Sequence, residues 1–217
     1  MAPAELLAGS PRLTRLSPTG GQRGTPGDVY FTGLYLQEPR DVVFYEPGIR
    51  VVSIEPLAGD VVINGRRVKV KPGIRVRVRL QLAKDCPFRP HGLRLVTAHG
   101  LTEYRRSVVG VVPVVPDEET STKRNDQRST AQPVALNRTV HGQIAEAFDV
   151  DVYRVEARRG DRLSAEVEAA RIGGEVGVPD LYLGLCDAEG RLVASADDSA
   201  LFIQDPLLSV QAQRHSR

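Results

Sequence analysis

The run "RRVKVKPGIRVRVRLQLAKD" (66–85) alternates charged and apolar side chains at nearly every step. Successive side chains of an extended strand point to opposite faces. Arg75, Arg77 and Arg79 therefore share one face, and Val76, Val78 and Leu80 the other. A helix would spread the same residues around its axis. Pro72-Gly73 interrupts the pattern and predicts two strands with a break between them. Similar segments lie on either side: "DVYFTG" (28–33), "VVFYEPG" (42–48), "VVSIEP" (51–56) and "DVVING" (60–65) are short, β-branched and bounded by Gly or Pro. "HGLRLVTAHGLTEYRRSVVGVV" (91–112) predicts a hairpin-like pair turning at His99-Gly100. Strands recurring at roughly ten-residue spacing indicate an all-β chain built of sandwiches.

The alternation stops at "PVVPDEETSTKRNDQRSTAQP" (113–133), which is polar, charged and without period. This predicts a linker over 116–133. It joins a first domain, 13–115, to a second, 134–210. The alternation resumes in "NRTVHGQI" (137–144), "DVYRVEA" (151–157), "RLSAEVEAARI" (162–172) and "DLYLGLCDAEGRLVASADD" (180–198), with Asp187-Ala-Glu-Gly190 as a hairpin turn. Charge supports the division. Residues 13–116 carry sixteen Lys and Arg against eight Asp and Glu, a net of +8, whereas 117–217 carry twelve against eighteen, a net of −6. The overall +2 conceals this asymmetry.

Composition narrows the functions. Aromatics are only 5% of the 217 residues and Trp is absent, so stacking platforms for sugars or bases are scarce. No stretch approaches the roughly 18 apolar residues of a membrane span. "MAPAELLAGSPRL" (1–13) lacks the basic and apolar regions of an export signal. Two cysteines, Cys86 and Cys186, are too few for a disulfide framework. Two separately buried thiols are expected, with a bridge between them as the alternative.

Reactive motifs are missing. The Gly-rich "SPTGGQRGTPGD" (17–28) leads into a strand, not into the Gly-Lys-Ser/Thr and helix of a phosphate loop. His91, His99, His141 and His215 show no zinc spacing. No Gly-x-Ser-x-Gly elbow occurs. The basic run of Arg66, Arg67, Lys69, Lys71, Arg75, Arg77 and Arg79 can attract a polyanion. Without interleaved aromatics it does not suit nucleic acid, and a solvated sheet face is expected. Asp180, Asp197 and Asp198 stand at strand ends, where turn chemistry accounts for them.

Two resemblances add to this reading. "LTRLSPTGGQRGTPGDVYFTGLYLQEPRDVVFYEPG" (13–48) resembles the start of an IPT/TIG-type immunoglobulin-like domain, with its Pro, Gly-rich turn, Gly-Thr, a strand ending in "FTG" and a second strand "VVFY". "CPFRPHGLRLVTAHGLTE" (86–103) is similar to that family's closing strands. The resemblance covers about residues 13–115 and implies an Ig-like spacer or contact module without catalytic residues. In the second half, "KRND" (123–126), "FDVDVYRVEARRGDRLSAEVE" (148–168) and "PDLYLGLCDAEGRLVASADD" (179–198) together resemble the bacterial pre-peptidase C-terminal domain. The shared elements are an Asn-Asp lead-in, Asp-x-Asp-x-Tyr, a Gly turn, an alternating strand, Asp-Leu-x-Leu and an Asp-x-x-Gly hairpin. The usual Glu-Pro-Asn lead-in is replaced here by "TKRND". The resemblance implies a jelly-roll-like sandwich, non-catalytic, beside secreted peptidases or other exported enzymes. It also implies calcium held by the lead-in and the Asp-x-Asp segment, here Asn125, Asp126, Asp149 and Asp151.

Chemistry is compatible with that set, since Ca²⁺ takes six to eight oxygens, commonly carboxylates and carbonyls. The set closes only if the linker folds onto the strand mouth. Asp149 and Asp151, two apart on a strand, would share a face. The alternative is that they cap a turn and face water.

The end of the chain, "DDSALFIQDPLLSVQAQRHSR" (197–217), turns polar where the resembled domain continues for several strands. The expectation is a second sandwich incomplete at its C-terminus, within a fragment of a longer exported protein. Unpaired sheet edges would then favour self-association or completion by a partner. The function expected is a non-catalytic accessory or binding protein that contacts a protein or cell-surface polymer or supports an attached enzyme. The alternatives are an appendage of a secreted peptidase and a polyanion-binding module using the Arg75/Arg77/Arg79 face.

Overall fold

The computed structural model describes residues 9–63, 66–120, 122–144, 146–173 and 180–212. The chain is all-β, with a single 3-10 turn at Arg128–Thr130 as the helical element among the described residues. It divides into two compact units, Met1–Val114 and Val115–Arg217, at the point where charge changes sign.

The first unit contains β1 (Arg12–Ser17), β2 (Gly20–Gln22), β3 (Pro26–Leu34), β4 (Pro39–Phe44), β5 (Ile49–Ile63), β6 (Arg66–Leu82), β7 (Pro90–Thr97), β8 (Gly100–Leu101) and β9 (Arg105–Gly110). One sheet has the order β1-β3-β6-β5; the other has β2-β9-β7-β4, with β8 paired to β7. β2 runs parallel to β9, and the other ladders are antiparallel. The alternation of 75–80 is realised: Val76, Val78 and Leu80 are buried, while the arginines face outward. Val76, Val78 and Phe31 from one sheet meet Val42, Leu93, Leu95 and Val109 from the other in a single apolar core. Two sheets sharing one core form a sandwich.

Pro72-Gly73 does not divide β6. The ladder with β5 passes from Leu57↔Arg75 to Gly59↔Val70, so the extra residues of β6 bulge out and pairing continues beyond them. A bulge tolerates Pro, whose missing N–H is not needed there. Gly73 takes φ +75°, the left-handed region, and its carbonyl accepts Leu36 N–H at 2.9 Å. Replacing it with alanine adds backbone strain and pushes a methyl into the Gln37 side chain. Gly73→Ala is expected to cost about 1 kcal/mol, measured as a small fall in the denaturation midpoint of the first unit. The segments 51–56 and 60–65, expected as separate strands, belong largely to one strand, β5, although residues 64 and 65 lie outside the described residues.

The second unit holds β10 (Val114–Pro116, at the boundary), β11 (Gln132–Pro133), β12 (Thr139–His141), β13 (Tyr153–Arg154), β14 (Arg162–Glu166), β15 (Leu183–Cys186), β16 (Leu192–Ala196) and β17 (Leu207–Gln211). They pair two by two: β10 with β12, β11 with β13 in parallel, β14 with β17, and β15 with β16. The expected hairpin at Asp187–Gly190 joins β15 to β16, and Gly190 N–H donates to the Asp187 carbonyl at 3.0 Å.

Residues 116–133 are not a bare connector. They belong to the second unit and carry β11, the 3-10 turn and a dense set of hydrogen bonds. Gln132 is buried, accepts from Glu118 N–H at 2.8 Å and donates to the Pro116 carbonyl at 3.1 Å. Polar side chains satisfied in this way fold a segment that has no apolar period.

Apolar burial in this unit is slight. Leu208 and Pro206 are buried, whereas Phe148, Leu201 and Ile203 are 99%, 74% and 80% exposed. Polar contacts therefore carry an unusual share of its order. Among the described residues, no helix is long and apolar enough to cross a membrane.

Candidate metal centre

Two chain segments meet at the start of β13. Asn125 accepts from Val152 N–H with its backbone carbonyl at 2.9 Å, and Gln132 N–H donates to the Val152 carbonyl at 3.0 Å. Asp117 N–H donates to the His141 carbonyl at 3.1 Å, which extends the β10–β12 pairing by one residue. These backbone bonds fold 117–126 against 149–153, the closure on which a calcium site depends.

The acidic side chains form two groups that share Glu119. Asp117, Glu119 and Asp151 make an inner group, and Glu119, Asp126 and Asp149 an outer one. In each, one carboxylate oxygen per residue lies within 4.8 Å of the others. Of the expected ligands, Asp126 and Asp149 fall in the outer group and Asp151 in the inner, with Asn125 against Asp117. Asp149 and Asp151 therefore join different groups. Both precede β13, on backbone outside any strand, so strand alternation does not set their directions. Asp117, Glu119 and Arg124 were missing from the expected set. The one sequence signal for them is that Asp117-x-Glu119 repeats the spacing of Asp149-x-Asp151.

The inner group has acceptors that lack donors. Asn125 is 4% exposed, and its Nδ2 donates to Asp117 Oδ1 at 3.2 Å. Its Oδ1 and Asp151 Oδ1 are buried without a hydrogen-bond partner. Buried acceptors are nearly always satisfied, so oxygens in this condition beside a carboxylate group are unusual. Burial pushes the Asp151 carboxyl up to about 7, aided by its hydrogen bond with Glu119 and by the charges of Asp117, Glu119 and Asp149. Burial also raises the Tyr153 phenol, with Asp151 and Asp117 adding to it. The donors are all oxygens, which suits Ca²⁺ and not the nitrogen and sulfur preferences of zinc. Asp117, Glu119, Asn125 and Asp151 fit such an ion, with carbonyls or water needed to complete its six to eight ligands.

The outer group is filled differently. Arg124 Nε lies 3.0 Å from Glu119 Oε1 and 3.0 Å from Asp126 Oδ2, and its terminal nitrogens lie 2.9 Å from Asp149 Oδ1 and 3.4 Å from Glu146 Oε1. The hydrogen bond that Arg124 donates to Asp126 is the main influence raising its pKa, against the opposing effect of burial. The Asp149 side chain is wholly buried.

Other expected features lie elsewhere. Cys86 and Cys186 are both free thiols, Cys86 buried but Cys186 exposed, contrary to the expected burial of both. Cys86 Sγ lies 3.6 Å from His91 Nε2, which donates to the Pro87 carbonyl at 2.9 Å. Burial and then Asp85 raise the thiol pKa, opposite to an activated nucleophile. The outward arginines have local partners: Arg77 pairs with Glu55, Arg79 Nη1 with Asp28 Oδ1 at 3.1 Å, and Arg75 Nε donates to Thr32 Oγ1 at 3.1 Å. Pairing within the sheet reduces the field available to a polyanion. The Arg66 side chain and His215 lie outside the described residues. Asp180 stands before β15 and Asp197 and Asp198 after β16, in connecting segments.

No protein-family model matches the chain, and no curated protein shows significant similarity to it.

Proposed function

We propose that the chain is a non-catalytic accessory module of an exported bacterial protein, with a second unit locked by calcium. In this reading it contacts a protein or cell-surface polymer, or supports an attached enzyme. The observation that carries the proposal is the gathering of Asp117, Glu119 and Asp151 beside Asn125, with the buried Oδ1 atoms of Asn125 and Asp151 left without donors. The recess beside this cluster, lined by residues from 118 to 133, has a volume of about 60 Å³. Metabolite sites run to roughly 300–1,000 Å³, so this recess is too small for a typical substrate. The absence of an activated thiol at Cys86 favours the same reading. Extracellular calcium modules bind with dissociation constants near 10⁻⁴–10⁻³ M, which matches an exported setting.

Bound calcium supplies charge that stabilises the fold, and the side chains do the rest. Asp117 and Glu119 would hold the ion from the 117–126 segment, and Asp151 would hold it from the start of β13. Calcium titration of the full chain is therefore expected to raise the melting temperature of the second unit. The gain is about 2.7 kcal/mol when free calcium is a hundred times the dissociation constant. Asp117→Ala combined with Asp151→Ala should abolish that rise. A melting curve indifferent to calcium, or a rise that survives both changes, would remove the proposal.

A further inference from the structure

We propose that the Arg124 guanidinium is a built-in cation that takes the place of a metal ion in the outer carboxylate group, leaving calcium only the inner one. The inference builds on the calcium reading of the inner group but can fail independently of it.

The geometry begins with Asp149. Its side chain is wholly buried, and a buried carboxylate requires a countercharge. Arg124 supplies one at 2.9 Å. The same guanidinium reaches Glu119 and Asp126 at 3.0 Å each and Glu146 at 3.4 Å. One positive group thus serves four carboxylates drawn from both chain segments. A planar fork of N–H donors suits this arrangement, because each edge can face a different carboxylate. The oxygens of Glu119, Asp126 and Asp149 are spaced as a cation requires, and the guanidinium already stands among them. A divalent ion placed on the same oxygens would be in contact with a like charge, so the two exclude each other.

The inner group differs in the decisive respect. There the buried Oδ1 atoms of Asn125 and Asp151 have no donor, and among the described residues no arginine or lysine pairs with Asp117 or Asp151. Glu119 links the two groups. Arg124 therefore offsets part of the charge that an ion in the inner group must balance, and this confines the chain to one ion. The arginine also holds 119–126 against 146–149 whether or not calcium is present.

The test is calorimetric titration of the full chain with calcium chloride after chelation, for the unmodified protein, Arg124→Met and Arg124→Lys. The unmodified protein and Arg124→Lys are expected to take up one equivalent, and Arg124→Met two. Far-UV circular dichroism guards against a variant that simply fails to fold. If Arg124→Met is unfolded in chelator, calcium should restore its β signature. Two equivalents in the unmodified protein would overturn the inference. So would an Arg124→Met protein that binds no more calcium than the unmodified one, or that stays unfolded in excess calcium. If the unmodified protein binds none and Arg124→Met binds one, the inner-site reading falls while the role of Arg124 stands.

Discussion

Asp205→Ala is expected to cost the second unit about 3 kcal/mol, a large share of a domain's typical stability, in a full chain whose first unit remains folded. Asp205, just before β17, is wholly buried against the segment that follows β14. Its Oδ1 accepts the amides of Ala169 and Ala170 at 3.0 and 2.7 Å. Its Oδ2 accepts the Arg171 amide at 3.1 Å and the Arg171 Nε at 2.7 Å. Arg171 in turn donates to the Val167 carbonyl at 3.0 Å and stacks over Phe202, 3.8 Å from the ring centroid. Alanine at 205 would leave three amides without their acceptor, the situation in which lost hydrogen bonds are most damaging, while Arg171 would keep the Val167 carbonyl and the carboxylates of Glu166 and Glu168 at 3.6 and 3.9 Å. With so little apolar burial in this unit, the lost amide bonds weigh heavily in its stability.

Hydrogen exchange is the direct measurement. Amides of 162–166 and 207–211 should lose protection in Asp205→Ala while those of 76–80 keep it. Asp205→Asn, which retains one acceptor oxygen, should fall between. Unchanged protection of β14 and β17 in the alanine variant would show that the clasp is dispensable. The pH dependence has a definite sign. Burial alone would raise the Asp205 pKa, but the bonds from Arg171, Ala170 and Ala169 outweigh it and the pKa is lowered. Its contribution is therefore present above the ordinary carboxylate range and lost as pH falls below it.

The sequence was most legible where water and core impose period two. The alternation of Arg75–Leu80 gave both the strand and its buried face, because one apolar row can meet the opposing sheet only in that register. Pro72-Gly73 reads as a break in the sequence and is a bulge in the fold. The same two residues suit a bulge as well as a chain end, and only the partner strand decides between them. The segment 116–133 looked like a linker because its order comes from Gln132, Asn125 and Asp117 bonding to the backbone and to each other. Such contacts leave no period. Asp126, Asp149, Asp151 and Asn125 were legible as an acidic neighbourhood but not as two groups. What separates the groups is the path of backbone just before β13 and the position of Arg124, a cation that spacing alone gave no reason to place among acids.

Without calcium, the second unit is expected to be more stable at pH 5 than at pH 8, the reverse of the dependence that Asp205 contributes. Asp151 drives the difference. Burial, then the hydrogen bond with Glu119, then the negative charges of Asp117, Glu119 and Asp149, raise its carboxyl to about 7. A group whose folded pKa is raised stabilises fully below its unfolded value, roughly 4, and that stabilisation is lost as pH climbs through 7. The side chain is only partly buried, so solvent screening reduces the effect to about 1–2 kcal/mol. Calcium competes with the proton for the same oxygens, so its affinity should rise from pH 5 to pH 8 and the stability difference should shrink or invert when the ion is present. Asp151→Asn isolates the group. It removes one negative charge from the inner set, so in chelator it should match or exceed the unmodified protein at pH 8, and much of the difference between pH 5 and pH 8 should vanish. It should also lose the calcium-induced rise in melting temperature. A variant less stable in chelator at pH 8, or one with its calcium response intact, would show that Asp151 anchors the fold by some contact other than the shared proton and the ion.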